Sequence, residues 1–273
     1  MKKICSLLVV AMLLTVSCKK DHAVKTKVPL LSRAYNNGAT VYQFYYTPQN
    51  LLSKIELYDE GPGNALMYHF DITYNGSQVS QIVYKSMPGE VPVFRLVYSY
   101  DQSGRVLTSE YYDLAGPTPN VPTSTDTYTY NTDGILSSVT SKDKTNVFLR
   151  KTNFLHYPDG KLKESQQFLE QSNQLYMVAK STYSIPAVGD RPGGLEEIEK
   201  ILGPEFPASF FYESYNSLRY TQAGVITTNY NYLLSGREYN SDGTIQKQVM
   251  TIKNIKPVNP DVVIYKDYEY ILQ

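Results

Sequence analysis

Three histidines, two cysteines and 26 tyrosines are the side chains with which this sequence could do chemistry. His69 and Asp71 stand two apart, on one face of a strand, while His156 and Asp159 flank a glycine turn, and each pair resembles half of an acid–base or metal site. Neither has a second histidine at ligand spacing, so hydrogen-bonded or exposed histidines are expected, and His22 stands alone. There is no Gly-x-Ser-x-Gly elbow, His-Glu-x-x-His helix, Walker loop or Gly-x-Gly-x-x-Gly turn. Acidic residues occur singly, without the Asp/Asn ladder of a calcium loop, and no cofactor or metal is expected. Two carboxylates brought together by folding would still be enough for glycoside hydrolysis, and they leave no local trace in a sequence. With 26 basic against 26 acidic residues, a nucleic-acid partner recruited by bulk positive charge is excluded.

The tyrosines, set against nine Phe and no Trp, offer a flat apolar ring with a hydroxyl. Such rings can stack on sugars, form a protein interface, or fill the packed face of a sheet with the hydroxyl reaching water at the rim. They also bias the chain toward strands, since aromatic rings fit a pleated, half-buried surface.

Residues 1–17 read MKKICSLLVVAMLLTVS: two lysines, then an apolar run from Ile4 to Val16, the layout of a secretory signal peptide. As a membrane span the run is too short, because its 13 residues at about 1.5 Å each reach only about 20 Å of a hydrocarbon core near 30 Å. Thr15-Val16-Ser17-Cys18 follows, and this segment resembles the lipobox of bacterial lipoproteins, in which small residues precede a cysteine that is lipidated and becomes the mature N-terminus. Thr15 departs from the Leu usual in that family, although Leu14 stands one place earlier. The resemblance implies attachment to a membrane through acyl chains on Cys18, and Lys19 in place of Asp implies the outer membrane. Cys5 lies in the removed segment, so no disulfide or cysteine metal site remains. Lys19 to Arg33, with five basic residues and one acid, reads as a solvated linker. The expected organisation is a signal peptide over 1–17, a lipidated tether over 18–33 and one repeat domain over 34–273.

In that domain one phrase returns: FDITYNGSQV, LVYSYDQSGRV, TYTYNTDGIL, FLHYPDGKL and REYNSDGTI. The first four anchor tyrosines, Tyr74, Tyr100, Tyr130 and Tyr157, are 26, 30 and 27 residues apart, and weaker copies sit at Tyr46, Tyr183 and Tyr220. Each phrase is strand, turn, strand, with a glycine where the chain needs positive φ and a type I turn closed by a left-handed Gly bulge. Phe94, Leu96, Tyr98 and Tyr100 alternate with Arg95 and Ser99, so one face is aromatic and the other solvated. Longer Pro/Gly-rich connections at 59–64, 86–92, 114–126 and 142–146 fall at the end opposite the glycine turns. Tyr98 to Val106, Tyr-x-Tyr-Asp-x-x-Gly-Arg-Val, resembles the YD repeats of Rhs-type shells and of exported bacterial lipoproteins without assigned function; the likeness spans roughly residues 40 to 250 and implies hairpin architecture, with no active residue carried over.

One stretch breaks the rhythm. Leu195, Ile198, Ile201 and Leu202 recur at helical spacing before Gly203-Pro204, predicting a short helix over 194–202 that covers part of the sheet or an open edge. Phe210, Phe211, Tyr212 and Tyr215 follow it as core lining or as candidate ligand-binding aromatics. The expected fold is all-β: an antiparallel meander of tandem hairpins, roughly 14 to 16 strands, forming a curved sheet or partly closed sandwich. A membrane-spanning barrel is disfavoured by strand charges such as Arg95, Glu110 and Lys163. The expected role is a lipid-anchored, non-catalytic binding or scaffold module of the cell envelope recognising glycan or protein; the alternative is a lipid-anchored hydrolase using loop carboxylates.

Overall fold

The computed structural model describes residues 29–184, 214–242, 244–257 and 260–272. The strands are β1 (Pro29–Asn36), β2 (Ala39–Tyr46), β3 (Leu52–Tyr58), β4 (Leu66–Asn75), β5 (Gln78–Ser86) and β6 (Val91–Tyr100). They continue with β7 (Val106–Asp113), β8 (Ser124–Tyr130), β9 (Leu136–Asp143), β10 (Phe148–His156) and β11 (Leu162–Gln171). The last five are β12 (Gln174–Tyr183), β13 (Ser214–Tyr220), β14 (Ile226–Tyr239), β15 (Ile245–Lys256) and β16 (Val262–Leu272). Each pairs antiparallel with its sequence neighbours, and β1 pairs with β16 from Pro29↔Leu272 to Asn36↔Lys266, so the 16-stranded sheet closes into a barrel.

Closure corrects the expected curved sheet or sandwich, and its cause is a device repeated in the hairpins. The residue just after each restarted strand is bulged: Ser53, Ser80, Ser137 and Thr227 are skipped in the register between their neighbours and the partner strand. Each of these hydroxyls donates to a carbonyl across the hairpin, Ser80 Oγ to Thr73 O at 3.1 Å and Ser137 Oγ to Thr129 O at 2.9 Å. A bulge bends its strand and adds right-handed twist. Repeated in successive hairpins, it turns a meander into a cylinder with no free edge, so no helix is needed to cover one. The predicted helix over 194–202 lies outside the described residues. Residues 29–33, expected in the tether, are instead the first half of β1.

The bulge also sets which side chains face the lumen. Val79 and Ile82 are three apart yet both are buried inside, as are Leu52 and Ile55. The anchor tyrosines then lock each turn: Tyr46, Tyr74, Tyr100 and Tyr130 donate their hydroxyls to the carbonyls of Leu31, Leu52, Val79 and Val106, at 2.7 to 2.8 Å. Gly104 and Gly134 sit at φ +82° and +78° and close type I turns through Gly104 N–H to Asp101 O and Gly134 N–H to Asn131 O, each 3.0 Å. A side chain there would be strained. The outer face is mixed: it carries Lys54–Glu56, Lys85–Asp71 and Lys180–Glu164 ion pairs at 2.7 to 2.8 Å beside exposed Tyr45, Leu155 and Tyr265.

Strand direction sorts the connections. The glycine turns after β4, β6, β8 and β10 share one end with Pro29 and Leu272, whereas the connections at 59–65, 87–90 and 114–123 share the other. These are called the turn end and the loop end below.

Candidate functional site

Inside the barrel, β6 to β11 surround a cavity of ≈ 1570 Å³. Its wall toward the turn end is apolar, built from Val106, Leu136, Val139, Phe154 and Leu162. Midway along the strands the hydrogen-bonded register sets a polar row: Tyr98 opposite Ser109, Ser109 opposite Asp126, Asp126 opposite Ser141, and Ser141 opposite Arg150. All five line the cavity.

The row is internally bonded. Ser141 Oγ donates to Asp126 Oδ1 in a short contact, Arg150 Nε donates to Ser141 Oγ at 3.3 Å, and Arg150 Nη2 lies 3.8 Å from Asp126 Oδ2. Ser109 Oγ and the Tyr128 hydroxyl are 3.3 Å apart. The Arg150 side chain remains 52% accessible, so most of its donors are unspent, and at 3.8 Å its pairing with Asp126 is loose. Burial raises the hydroxyl pKa of Tyr98 and Tyr128 and pushes Tyr130 up to about 12, so these phenols stay neutral donors at physiological pH. Burial lowers His156, which favours its uncharged form.

Nearer the loop end an aromatic ladder crosses four strands. Tyr68, Tyr84, Phe94 and Tyr111 follow one another with ring centroids 5.1, 4.5 and 5.2 Å apart. The Tyr84–Phe94 pair is stacked at 9° and the Phe94–Tyr111 pair tilted at 33°.

The residues singled out from sequence fall in different places. Tyr215 lies between Tyr232, at 4.0 Å and 6°, and Tyr183, at 5.8 Å, so its faces are occupied. Phe210, Phe211, Tyr212 and Cys18 lie outside the described residues. His69 and Asp71 do meet, with Nε2 to Oδ2 at 3.4 Å, on the outer face. His69 is nonetheless only 2% exposed and its Nδ1 has no partner, so it is neither exposed nor fully bonded as expected. Beside it Glu56 is buried; burial would raise its pKa, but hydrogen bonds from Lys54, Tyr45 and Tyr58 outweigh that and hold it low. Asp159 pairs with Lys161 at 3.2 Å, away from His156. Among the described lining residues Asp126 is the one carboxylate, whereas glycoside hydrolysis by carboxylates needs two.

Asp126 and Arg150 were missed from sequence. Asp126 shares its parity with Tyr128 and Tyr130, which already marks it as inward-facing; Arg150 needs the β9–β10 register, with its shift between Phe148 and Arg150, to be placed.

No family model matches the chain, and no characterised protein matches it in sequence. Solved structures do. A porin-like protein from Bacteroides uniformis matches at a TM-score of 0.50 with 13% identity, over 90% of this chain and 94% of that one. A porin-like protein from Bacteroides vulgatus gives 0.47 and 12% over 88% of this chain and 98% of that one. The first likeness extends over nearly the whole chain and shows the fold alone: an antiparallel β-barrel of porin-like architecture. The Rhs-type resemblance rests on the repeated phrase.

Proposed function

We propose that this protein is a lipid-anchored, non-catalytic binding module of the bacterial outer membrane that holds its ligand inside the barrel. The observation that carries the reading is the cavity with an apolar wall, a polar row and an Arg150 guanidinium with donors to spare. Eight-stranded barrels are about filled by their own side chains, and 16 strands leave room. Here that room is lined mainly by apolar and aromatic groups, the composition of a ligand site.

The porin-like neighbours are compatible with an outer-membrane setting, but the outside of this barrel favours standing on the membrane over crossing it. A spanning barrel needs an apolar outer band about 25 Å tall, and here Lys54, Glu56, Lys85, Lys180 and Glu164 occupy outer strand positions in ion pairs. Acyl chains on Cys18 would supply the attachment. Pro29 is at the turn end, eleven residues after Cys18, a reach of at most about 40 Å. The turn end then faces the lipid and the long loops face outward, toward glycan or protein ligands.

The test has two parts. Mass spectrometry of the mature protein should find acyl chains on Cys18. Residues 18–273 carrying Cys18→Ser, screened against a glycan array and by pull-down, should retain a ligand that Asp126→Ala weakens; no ligand in either screen, or one indifferent to the lumen, would overturn the reading.

A further inference from the structure

The cavity is graded along the barrel axis, and the gradient specifies a class of ligand. Below the polar row, Val106, Leu136, Val139, Phe154 and Leu162 make an apolar floor, beyond which Gln78, Arg105 and His156 line the cavity at the turns. The floor is deep: Ser109 to Val106 and Ser141 to Leu136 are three and five residues of strand, about 10–17 Å at 3.3 Å per residue. At its top stand Asp126, Ser141 and Arg150, bonded to one another, with guanidinium donors still accessible.

Water gains little in such a floor, since an apolar cavity offers few hydrogen-bond partners and takes apolar guests readily. A free sugar would fit the row but would leave its hydroxyls unpaired against Val139 and Leu162. A simple hydrocarbon would fit the floor and leave Arg150 unused. We infer that the lumen binds a single-chain amphiphile: an apolar tail of about 10–17 Å along the apolar wall between Val106 and Leu162, and a polar head, best an oxyanion, at the accessible Arg150 donors. This deepens the lumen-binding reading and rests on it. A carboxylate head would accept from the Arg150 fork, which suits planar oxyanions, while Ser141 Oγ accepts from Arg150 Nε and steadies the fork.

Residues 18–273 with Cys18→Ser contain every strand of the barrel and keep the protein's own acylation out of the measurement. The probes are laurate, dodecyl maltoside and maltose, followed by calorimetry and by native mass spectrometry. Laurate should bind one per barrel. Arg150→Gln, at an accessible side chain with little part in folding, should weaken laurate about tenfold and dodecyl maltoside much less. Val139→Phe, which fills the floor, should weaken both tailed probes alike; circular dichroism reports whether it folds, and Arg150→Gln decides the matter if it does not. Maltose binding without either tailed probe would overturn the amphiphile and leave the lumen reading intact. Laurate binding unchanged in Arg150→Gln would overturn the assigned head site. No probe binding would overturn the amphiphile, and the array screen would then decide the lumen reading separately.

Discussion

The arc made by β1 to β5, β15 and β16 fills its share of the lumen, while the arc made by β6 to β11 leaves its share open, although both repeat the same hairpin. In each, the residue just before the bulge is apolar: Leu52 and Val79 in the filled arc, Val106, Leu136 and Leu162 in the open one. The same tyrosine bond locks the turn in both, Tyr74 to Leu52 and Tyr130 to Val106, each 2.8 Å. The difference falls three residues on, past the bulge. There the filled arc has Ile55 and Ile82, at 0% and 1% exposure, and the open arc has the smaller Ser109, Val139 and Ser165. Scaffold and filling are therefore separable positions of one repeat: the apolar residue before the bulge and the anchor tyrosine build the wall, and the residue three further on is isoleucine where the lumen is filled and smaller where it is open.

The largest effect expected from that contrast is on stability. Ile55→Ala or Ile82→Ala should cost about 2–5 kcal/mol, the transfer loss plus a cavity that rigid neighbours cannot close. Ser109→Ala should cost under about 1 kcal/mol, since its bond to Tyr128 is long at 3.3 Å and little packing is lost. Urea unfolding measures both, and equal losses in the two arcs would remove the distinction.

A second contrast is electrostatic. The filled arc buries Lys266, and burial lowers its pKa from 10.5 to about 8 against a smaller opposing pull from Glu60. Because the folded value lies below the unfolded one, the unfolded chain binds more protons between pH 8 and 10.5, and stability must rise across that window. Lys266→Met should flatten the rise and stabilise the fold near pH 7 by on the order of 3 kcal/mol. Above pH 10 both proteins should lose stability, since burial raises the phenols of Tyr46, Tyr268 and Tyr270 and their neutral forms are the ones folded. Chemical unfolding of the pair from pH 7 to 11 reads the difference directly; parallel curves would mean that the Lys266 charge is better solvated than its burial implies.

Much of this architecture is legible in the chain before folding, and the part that is not has a specific cause. Turn glycines, anchor tyrosines and alternation locate the hairpins because they are local. Alternation stops short of the bulges, which fall on Ser53, Ser80, Ser137 and Thr227 but equally on Leu107 and Lys163, residue types with no common signature. Without them the count of strands gives a sheet but not its closure. The polar row is hidden for a related reason: Ser109, Ser141 and Arg150 look like any solvent-facing residue until the register of β7 to β10 sets them beside Asp126.

The smallest expected effect bears on which side of the wall meets water. Thr125, Thr127 and Thr129 alternate with Asp126 and Tyr128, so they face outward from β8, and Thr127 is exposed. If that face is in water, Thr127→Lys should change stability by no more than about 0.5 kcal/mol, as surface substitutions do. If it lay in a bilayer, the same lysine at mid-strand would cost about 2–4 kcal/mol and deplete the protein from membranes. Carbonate extraction gives a second readout: a barrel held only through Cys18 should be freed by cleavage between Lys19 and Val28, whereas a spanning barrel would stay with the lipid after the cut. Near-neutrality of Thr127→Lys together with release on cleavage would place the porin-like wall outside the bilayer, which leaves its apolar surface turned inward, where the lumen needs a guest.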